Sequence, residues 1–203
     1  MFRLSTRSLI ATASAFIGLG ERAGGSEGGG TGGLVELVRR EVGQSGHGAW
    51  DTALVHHLGY WSHFDHRSQH SSWPLIATAS ATELGAFGAE RKIEREEPEP
   101  GDVFLLYAPN KRQFVRAGII VALGGRGKFV NGNVFHEVVT IEGNTNERGH
   151  AGGDRTLAMR RKLSWAGGDR FLRWTDLDPY LAAADPTRSV DSLGGRLVVR
   201  KAA

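Results

Sequence analysis

The chain changes character near its middle, and this change constrains the fold more than any other feature. Before an acidic, proline-containing connector at residues 94–100, apolar residues recur at helical spacing, as in residues 34–42. After the connector, segments rich in β-branched and aromatic residues alternate with turns that contain Gly, Asn and Asp. These segments are 103–107, 114–123, 134–141, 156–163 and 171–174. Helices first and strands second predict an α+β domain with an antiparallel sheet.

The N-terminal half predicts four helices, at residues 8–20, 34–42, 52–64 and 79–91. The glycine-rich residues 24–30 separate the first two, because such a stretch cannot hold regular structure. Asp51 comes directly before the third helix and is a common helix-capping residue. Residues 176–203 predict one short helix at 180–184 and one weak strand at 197–200. We therefore expect a domain at 8–175 and a C-terminal extension at 176–203.

The composition fits a single globular domain and argues against nucleic-acid binding and against a membrane span. The chain has 203 residues, 40% of them hydrophobic and 23% charged, which fits a single domain. The net charge of +3 is too small for a nucleic-acid footprint, and no apolar stretch approaches the ~18 residues of a membrane span. The first 17 residues loosely resemble a signal peptide, although an amphipathic helix is the preferred interpretation. The compartment and the oligomeric state stay open.

The sequence contains no cysteine, which excludes disulfides, thiolate metal sites and catalysis by a thiol. Six of the eight histidines lie between residues 47 and 70, and His63, His66 and His70 have helical three- and four-residue spacing. A metal site there is conceivable, but helical periodicity fails after the third predicted helix, so we expect no metal and no cofactor. His56 and His57 are alternative candidates for a catalytic base.

Three short segments carry a resemblance to a known family. Residues 140–146 read Thr-Ile-Glu-Gly-Asn-Thr-Asn, residues 100–104 read Pro-Gly-Asp-Val-Phe, and residues 77–80 read Ala-Thr-Ala-Ser. Together they resemble the CHAP family, the cysteine- and histidine-dependent amidohydrolases and peptidases related to NlpC-like cell-wall hydrolases. The resemblance covers residues 8–175. It implies a papain-like fold in which N-terminal helices pack on an antiparallel β-sheet.

The resemblance also implies a set of site positions. Family members carry the nucleophilic cysteine after a tryptophan at the start of a helix, and here Asp51 follows Trp50. The family histidine lies on a strand, at the position of Arg116, and the residues that orient it match Glu142 and Asn144. An alternative register places Ser62 at the nucleophile position, but it shortens the gap to the Ala-Thr-Ala-Ser segment, so Asp51 is preferred.

Asp51 in place of cysteine removes the nucleophile, and Arg116 in place of histidine removes the catalytic base. A thiolate at a helix N-terminus is activated by the helix dipole and by an imidazole, whereas a carboxylate is a weak nucleophile toward amides. A guanidinium, with a pKa above 12, cannot accept a proton. We expect Asp51 and Arg116 to form a charge-assisted pair, with Glu142 and Asn144 on the other face of the guanidinium. The alternative is that Asp51 only caps its helix and Arg116 lies at the surface.

Two functions remain. The first is a catalytically degenerate CHAP-like domain that binds a peptidoglycan fragment or a partner protein within an assembly, with Trp50 and Trp73 stacking on the ligand. The second is a divergent peptidoglycan amidase or endopeptidase acting through Asp51, Ser62 or a nearby histidine. The first is preferred because neither an activated nucleophile nor a titratable base occupies the family positions.

Overall fold

The computed structural model describes residues 6–20, 33–45, 49–146, 155–177, 190–191 and 198–199. Its helices are α1 (Thr6–Ala15), α2 (Leu34–Glu41), α3 (Asp51–Ser62) and α4 (Ala81–Glu90). Its strands are β1 (Phe64–Asp65), β2 (His70–Ser71), β3 (Glu94–Arg95), β4 (Val103–Ala108), β5 (Gln113–Lys128), β6 (Val134–Thr145), β7 (Arg155–Leu163), β8 (Arg170–Leu172), β9 (Val190–Asp191) and β10 (Val198–Val199). Short 3-10 helices lie at Trp165–Gly167 and Trp174–Asp176.

The main sheet has six strands in the order β3-β8-β4-β5-β6-β7, and each neighbouring pair is antiparallel. β1 and β2 form a hairpin after α3, and β9 pairs with β10. The α+β prediction with an antiparallel sheet is confirmed. Within the described ranges no helix has the length and apolar character needed to cross a membrane.

Several predicted elements differ in detail from the observed ones. The first helix ends at Ala15, because Gly18 adopts a positive φ of 86° and its amide donates to Thr156 of β7. β5 continues to Lys128 because its glycine-rich end still pairs with β6, as in Gly127 opposite Phe135. The predicted helix at 180–184 lies outside the described residues.

The helix-facing side of the sheet forms the larger core. α3 packs against β5 and β6, and its apolar residues join those of the sheet. Trp50, at 0% exposure, lies against Gly143 of β6, where an added Cβ would come within 2.5 Å of the indole ring. The absence of a side chain at Gly143 therefore lets the start of α3 lie directly on β6.

The opposite side of the sheet is also covered. Its apolar cluster consists of Phe104, Ile120, Val138, Leu163 and Phe171, all buried. A Cβ added to Gly118 would meet both Phe104 and Glu142, at 2.6 and 2.9 Å. The Glu142 side chain therefore lies on this face, away from α3, in a region without access to solvent.

Candidate functional site

The start of α3 places Asp51 against the backbone of β5. Asp51 is the first residue of the helix, and Trp50 occupies the capping position that the sequence assigned to Asp51. The Asp51 carboxylate accepts a hydrogen bond from the amide of Ala117 at 3.0 Å. β5 pairs with β6 only from Ile119, which lies opposite Ile141, two residues after Ala117. The Asp51 carboxylate therefore accepts from a β5 amide that precedes the part of β5 paired with β6.

The two candidate nucleophile positions lie at opposite ends of α3. Asp51 is its first residue, at the positive end of the helix dipole, and Ser62 is its last. A nucleophile activated by the dipole belongs at the first position. Of the two residues, only Asp51 lies at the helix end where the dipole stabilises an anion.

Arg116 and Glu142 form the centre of a buried polar cluster, here called the Glu142 network. Nη1 of Arg116 donates to Oε2 of Glu142 at 2.9 Å and to Oγ1 of Thr145 at 2.9 Å. Arg161 of β7 donates to both carboxylate oxygens, through Nε at 2.8 Å and Nη2 at 2.6 Å. The Thr140 hydroxyl donates to Oε1 at 2.6 Å. Four hydrogen bonds thus hold one fully buried carboxylate between strands β5 and β7.

The expected direct pair between Asp51 and Arg116 is wrong. Arg116 forms its ion pair with Glu142, and Asp51 is hydrogen bonded to a backbone amide instead. Arg116 is still close enough for its charge to lower the pKa of Asp51. The reason is geometric. The side chains of Arg116 and Glu142 lie on the same face of the sheet, whereas Asp51 approaches β5 from the face that α3 covers.

The two carboxylates have opposite electrostatic environments. Burial raises the pKa of Asp51 from its ordinary value of 3.8 to about 6, against the opposing effects of the Ala117 amide and the Arg116 charge. Burial also acts to raise the pKa of Glu142, but hydrogen bonds and charge from Arg161, with help from Thr140 and Arg116, leave it below its ordinary value. Glu142 is therefore held as an anion, and Asp51 is an anion that the site tolerates poorly.

Asn144 does not take the predicted place on the guanidinium. It adopts φ of +49° at an irregularity in β6, between Glu142 opposite Leu157 and Thr145 opposite Arg155. Asparagine is one of the few side chains that tolerate this left-handed conformation. The bulge inserts one extra residue into β6 relative to β7. Thr145 therefore supplies the hydroxyl that Arg116 contacts.

The two tryptophans expected to stack on a ligand are core residues. Trp50 is 0% exposed and Trp73 is 8% exposed. The Trp73 ring packs beside Gly59 of α3 and lies 5.0 Å from the Trp174 ring. Neither indole presents a face to solvent, so the ligand-stacking prediction is corrected.

Sequence reasoning missed Arg161, Thr140 and Thr145 as members of the cluster. Thr140 lies two residues before Glu142 on the same strand, and such residues share a face, so this contact could have been found. Arg161 lies opposite Val138 and reaches Glu142 diagonally. Its role depends on the register between β6 and β7, which a single sequence does not define.

Of the two alternative bases, His57 has a hydrogen-bond partner, whereas Nδ1 of His56 is buried without one among the described residues. His57 is buried and its Nδ1 donates to Glu41 of α2 at 2.6 Å. Burial lowers the pKa of His56 to about 4, and the charges that act on it are those of Glu41 and His57. Both histidines thus lie where α2 packs on α3, away from Asp51.

The Ser62 hydroxyl and the neighbouring His63 do not form a nucleophile and base. His63 Nδ1 lies 2.7 Å from Ser62 Oγ but also 3.0 Å from the carbonyl of Gly59, which can only accept. Nδ1 must therefore carry a proton, and the Ser62 hydroxyl itself donates to the same carbonyl at 3.0 Å. Within the described ranges no group of three His, Cys, Asp or Glu residues could hold a metal ion.

The comparisons with known proteins add no relative. No protein-family model matches the chain, and no curated protein and no solved structure matches it either.

Proposed function

We propose that this protein is a catalytically degenerate domain of the papain-like, CHAP-like type that binds a cell-wall glycopeptide without hydrolysing it. The observation that carries the proposal is the Glu142 network. Glu142 is 0% exposed and is bound by two arginines and a threonine. At the family's base position, an ion pair stands where a titratable imidazole would be needed.

The geometry around Asp51 supports the same conclusion. Asp51 is 3% exposed and its carboxylate is bound to the Ala117 amide, so a substrate carbonyl has no approach to it. Hydrolysis needs a nucleophile within reach of a base and a cleft that admits the substrate. Arg116, 3% exposed, cannot act as that base at any physiological pH.

The papain-like assignment is supported by the order of the elements. A helix that begins at the nucleophile position packs on two adjacent antiparallel strands, and these carry the base position and the acidic position. This is the arrangement that the resemblance implies. Function is argued from the site rather than from this arrangement, because one fold supports many activities.

A partner protein is the second candidate, favoured by the tip of the β5–β6 hairpin. Val130 is fully exposed there, and Phe129 beside it is 39% exposed. These two neighbours form a small exposed apolar surface, and exposed apolar surface is one feature of protein contact sites. Replacing both with serine should leave glycopeptide binding unchanged, and loss of a protein complex in that variant would assign the tip to a partner.

Co-sedimentation with purified peptidoglycan sacculi tests the proposed function. We expect the protein to sediment with sacculi in a saturable way and to be displaced by soluble muropeptides. Cellulose particles are the matched control, because they offer an insoluble polysaccharide without peptide or carboxylate groups. Sedimentation with cellulose equal to that with sacculi, or with neither, would contradict the proposal.

A further inference from the structure

The end of α3 opposite Asp51 borders an open cleft of about 600 Å³. Most of its wall is the β1–β2 hairpin, and the remainder comes from Ser8 of α1, Ser62 at the end of α3, and the flanking residues His63 and Ser72. This volume lies within the range of small-molecule sites, about 300–1,000 Å³. This space, here called the hairpin cleft, is lined among others by Phe64, His66, Arg67, Ser68, His70 and Ser72.

The hairpin that forms the wall is held by its own hydrogen bonds. Asp65 accepts from the Arg67 amide at 2.9 Å and from the Ser68 hydroxyl at 2.9 Å. The Ser71 hydroxyl donates to the carbonyl of Tyr60 in α3 at 2.7 Å. These bonds fix the hairpin turn and attach the hairpin to the helix. A ligand entering the cleft therefore meets a preformed wall.

The rim of the cleft carries one permanent cation, Arg67, and one carboxylate, Asp65, which already accepts from the Arg67 amide and the Ser68 hydroxyl. The Arg67 side chain is exposed, and within the described part of the chain no carboxylate pairs with its guanidinium. His66 and His70 are exposed on the same hairpin. A guanidinium binds a carboxylate through two parallel hydrogen bonds. The rim thus offers a binding position for a ligand carboxylate.

An aromatic surface adjoins the rim. The Phe64 ring lines the cleft and lies 5.0 Å from the Trp61 ring and 5.6 Å from the Tyr60 ring. Trp61 is 44% exposed, and its Nε1 donates to Glu41 at 3.0 Å, which fixes the indole. An immobilised aromatic surface beside serine hydroxyls suits a ligand with one apolar face and several hydroxyl groups.

We infer that the hairpin cleft binds a saccharide that carries a carboxylate. The apolar C–H face of a pyranose ring would lie on Phe64, its hydroxyl groups would meet Ser68, Ser72 and the two histidines, and its carboxylate would pair with Arg67. This inference rests on the proposed function for the source of the saccharide, a cell-wall glycopeptide. It places the ligand at the far end of α3 from the Glu142 network.

Calorimetric titration with N-acetylmuramic acid, whose lactyl carboxylate is free, tests the inference. We expect saturable binding by the wild type and about tenfold weaker binding by Arg67→Gln, the loss expected for one charge-assisted hydrogen-bonded pair. Phe64→Ala should weaken binding to a similar degree. The matched control is Arg40→Gln, which removes an exposed arginine of α2 outside the cleft and should bind like the wild type.

The neutral tetramer of N-acetylglucosamine separates the two parts of the recognition. It should bind more weakly than the carboxylate ligand, and its affinity should fall in Phe64→Ala but not in Arg67→Gln. If circular dichroism shows that Phe64→Ala is unfolded, the binding of Arg67→Gln alone tests the inference, because the Arg67 side chain is exposed and its replacement should not affect folding. Sacculus binding that survives in Arg67→Gln and Phe64→Ala at wild-type affinity would overturn the cleft and leave the proposed function standing. No binding of the wild type to sacculi or to either sugar would overturn both.

Discussion

The two ends of α3 differ in how their polar groups are satisfied. At its first residue, Asp51 and the nearby Glu142 network are buried, and each charge has a partner inside the protein. At its last residue, the hairpin cleft carries an exposed arginine and two exposed histidines. Groups that satisfy one another stabilise the fold and leave nothing for a ligand, whereas unsatisfied groups on a fixed wall are available for binding. We therefore place recognition at the last residue of α3 and not at Asp51.

The largest effect should come from Glu142→Ala, which leaves Arg116 buried without its carboxylate. Removing one partner of a buried ion pair typically costs about 3–5 kcal/mol of unfolding free energy. Urea denaturation followed by tryptophan fluorescence measures this change. The control is Glu137→Ala on the same strand, because Glu137 is half exposed and its ion pair with Lys162 contributes about 1 kcal/mol or less.

If Glu142→Ala does not fold, Glu142→Gln keeps the shape and two of the acceptor bonds and should recover part of the stability. Equal stabilities for the Glu142→Ala and Glu137→Ala proteins would show that the Glu142 network does not hold β5, β6 and β7 together.

Asp51→Asn should show a pH-dependent gain in stability. The pKa of Asp51 is raised from 3.8 to about 6 on folding, so the folded state binds the extra proton in that window. Stability therefore falls in the wild type as pH rises through the window, by about 3 kcal/mol in total. Asparagine can still accept from the Ala117 amide but does not ionise. The stability difference, variant minus wild type, should thus rise between pH 4 and pH 8.

Unfolding free energies measured at several pH values test this prediction. Glu137→Gln is the control, because it makes the same kind of substitution at a half-exposed carboxylate. A difference for Asp51→Asn that does not change with pH would mean that Asp51 is well solvated or well paired in the folded state.

The smallest effect should come from the other end of α3. Arg67→Gln should change the free energy of unfolding by less than about 0.5 kcal/mol, because the side chain is exposed and pairs with no carboxylate in the described ranges. The same denaturation experiment measures it. A loss of 2 kcal/mol, about the size of a core effect, would make Arg67 part of the fold and remove it as a ligand group.

The sequence predicted the element types well, because periodicity reports which faces of helices and strands are buried. It located the start of α3 at Asp51 to within one residue, and it placed Arg116 on a strand, whereas the strand predicted at 134–141 ends one residue before Glu142 of β6. The helix ends were less accurate, since Gly18 ends α1 through a contact with β7 that is distant in sequence.

The partners of individual side chains could not be predicted in the same way. Strand alternation separates Glu142 from Ile141 and Gly143, but which face carries Glu142 depends on how α3 is docked. The bulge at Asn144, which moves Thr145 onto Arg116, has no clear signature in a single sequence. The β1–β2 hairpin that forms the cleft has no strand signature in the sequence, because β1 and β2 have only two residues each.

An assay of hydrolysis tests the central claim, that Asp51 and Arg116 are held by their buried partners and are inactive. Purified protein is incubated with peptidoglycan sacculi, and release of soluble fragments and new amino groups is followed over time beside an Asp51→Ala variant. The account predicts no release above a protein-free blank for either protein. Turnover by the wild type that disappears in Asp51→Ala would contradict it, because Asp51 would then be reaching a substrate.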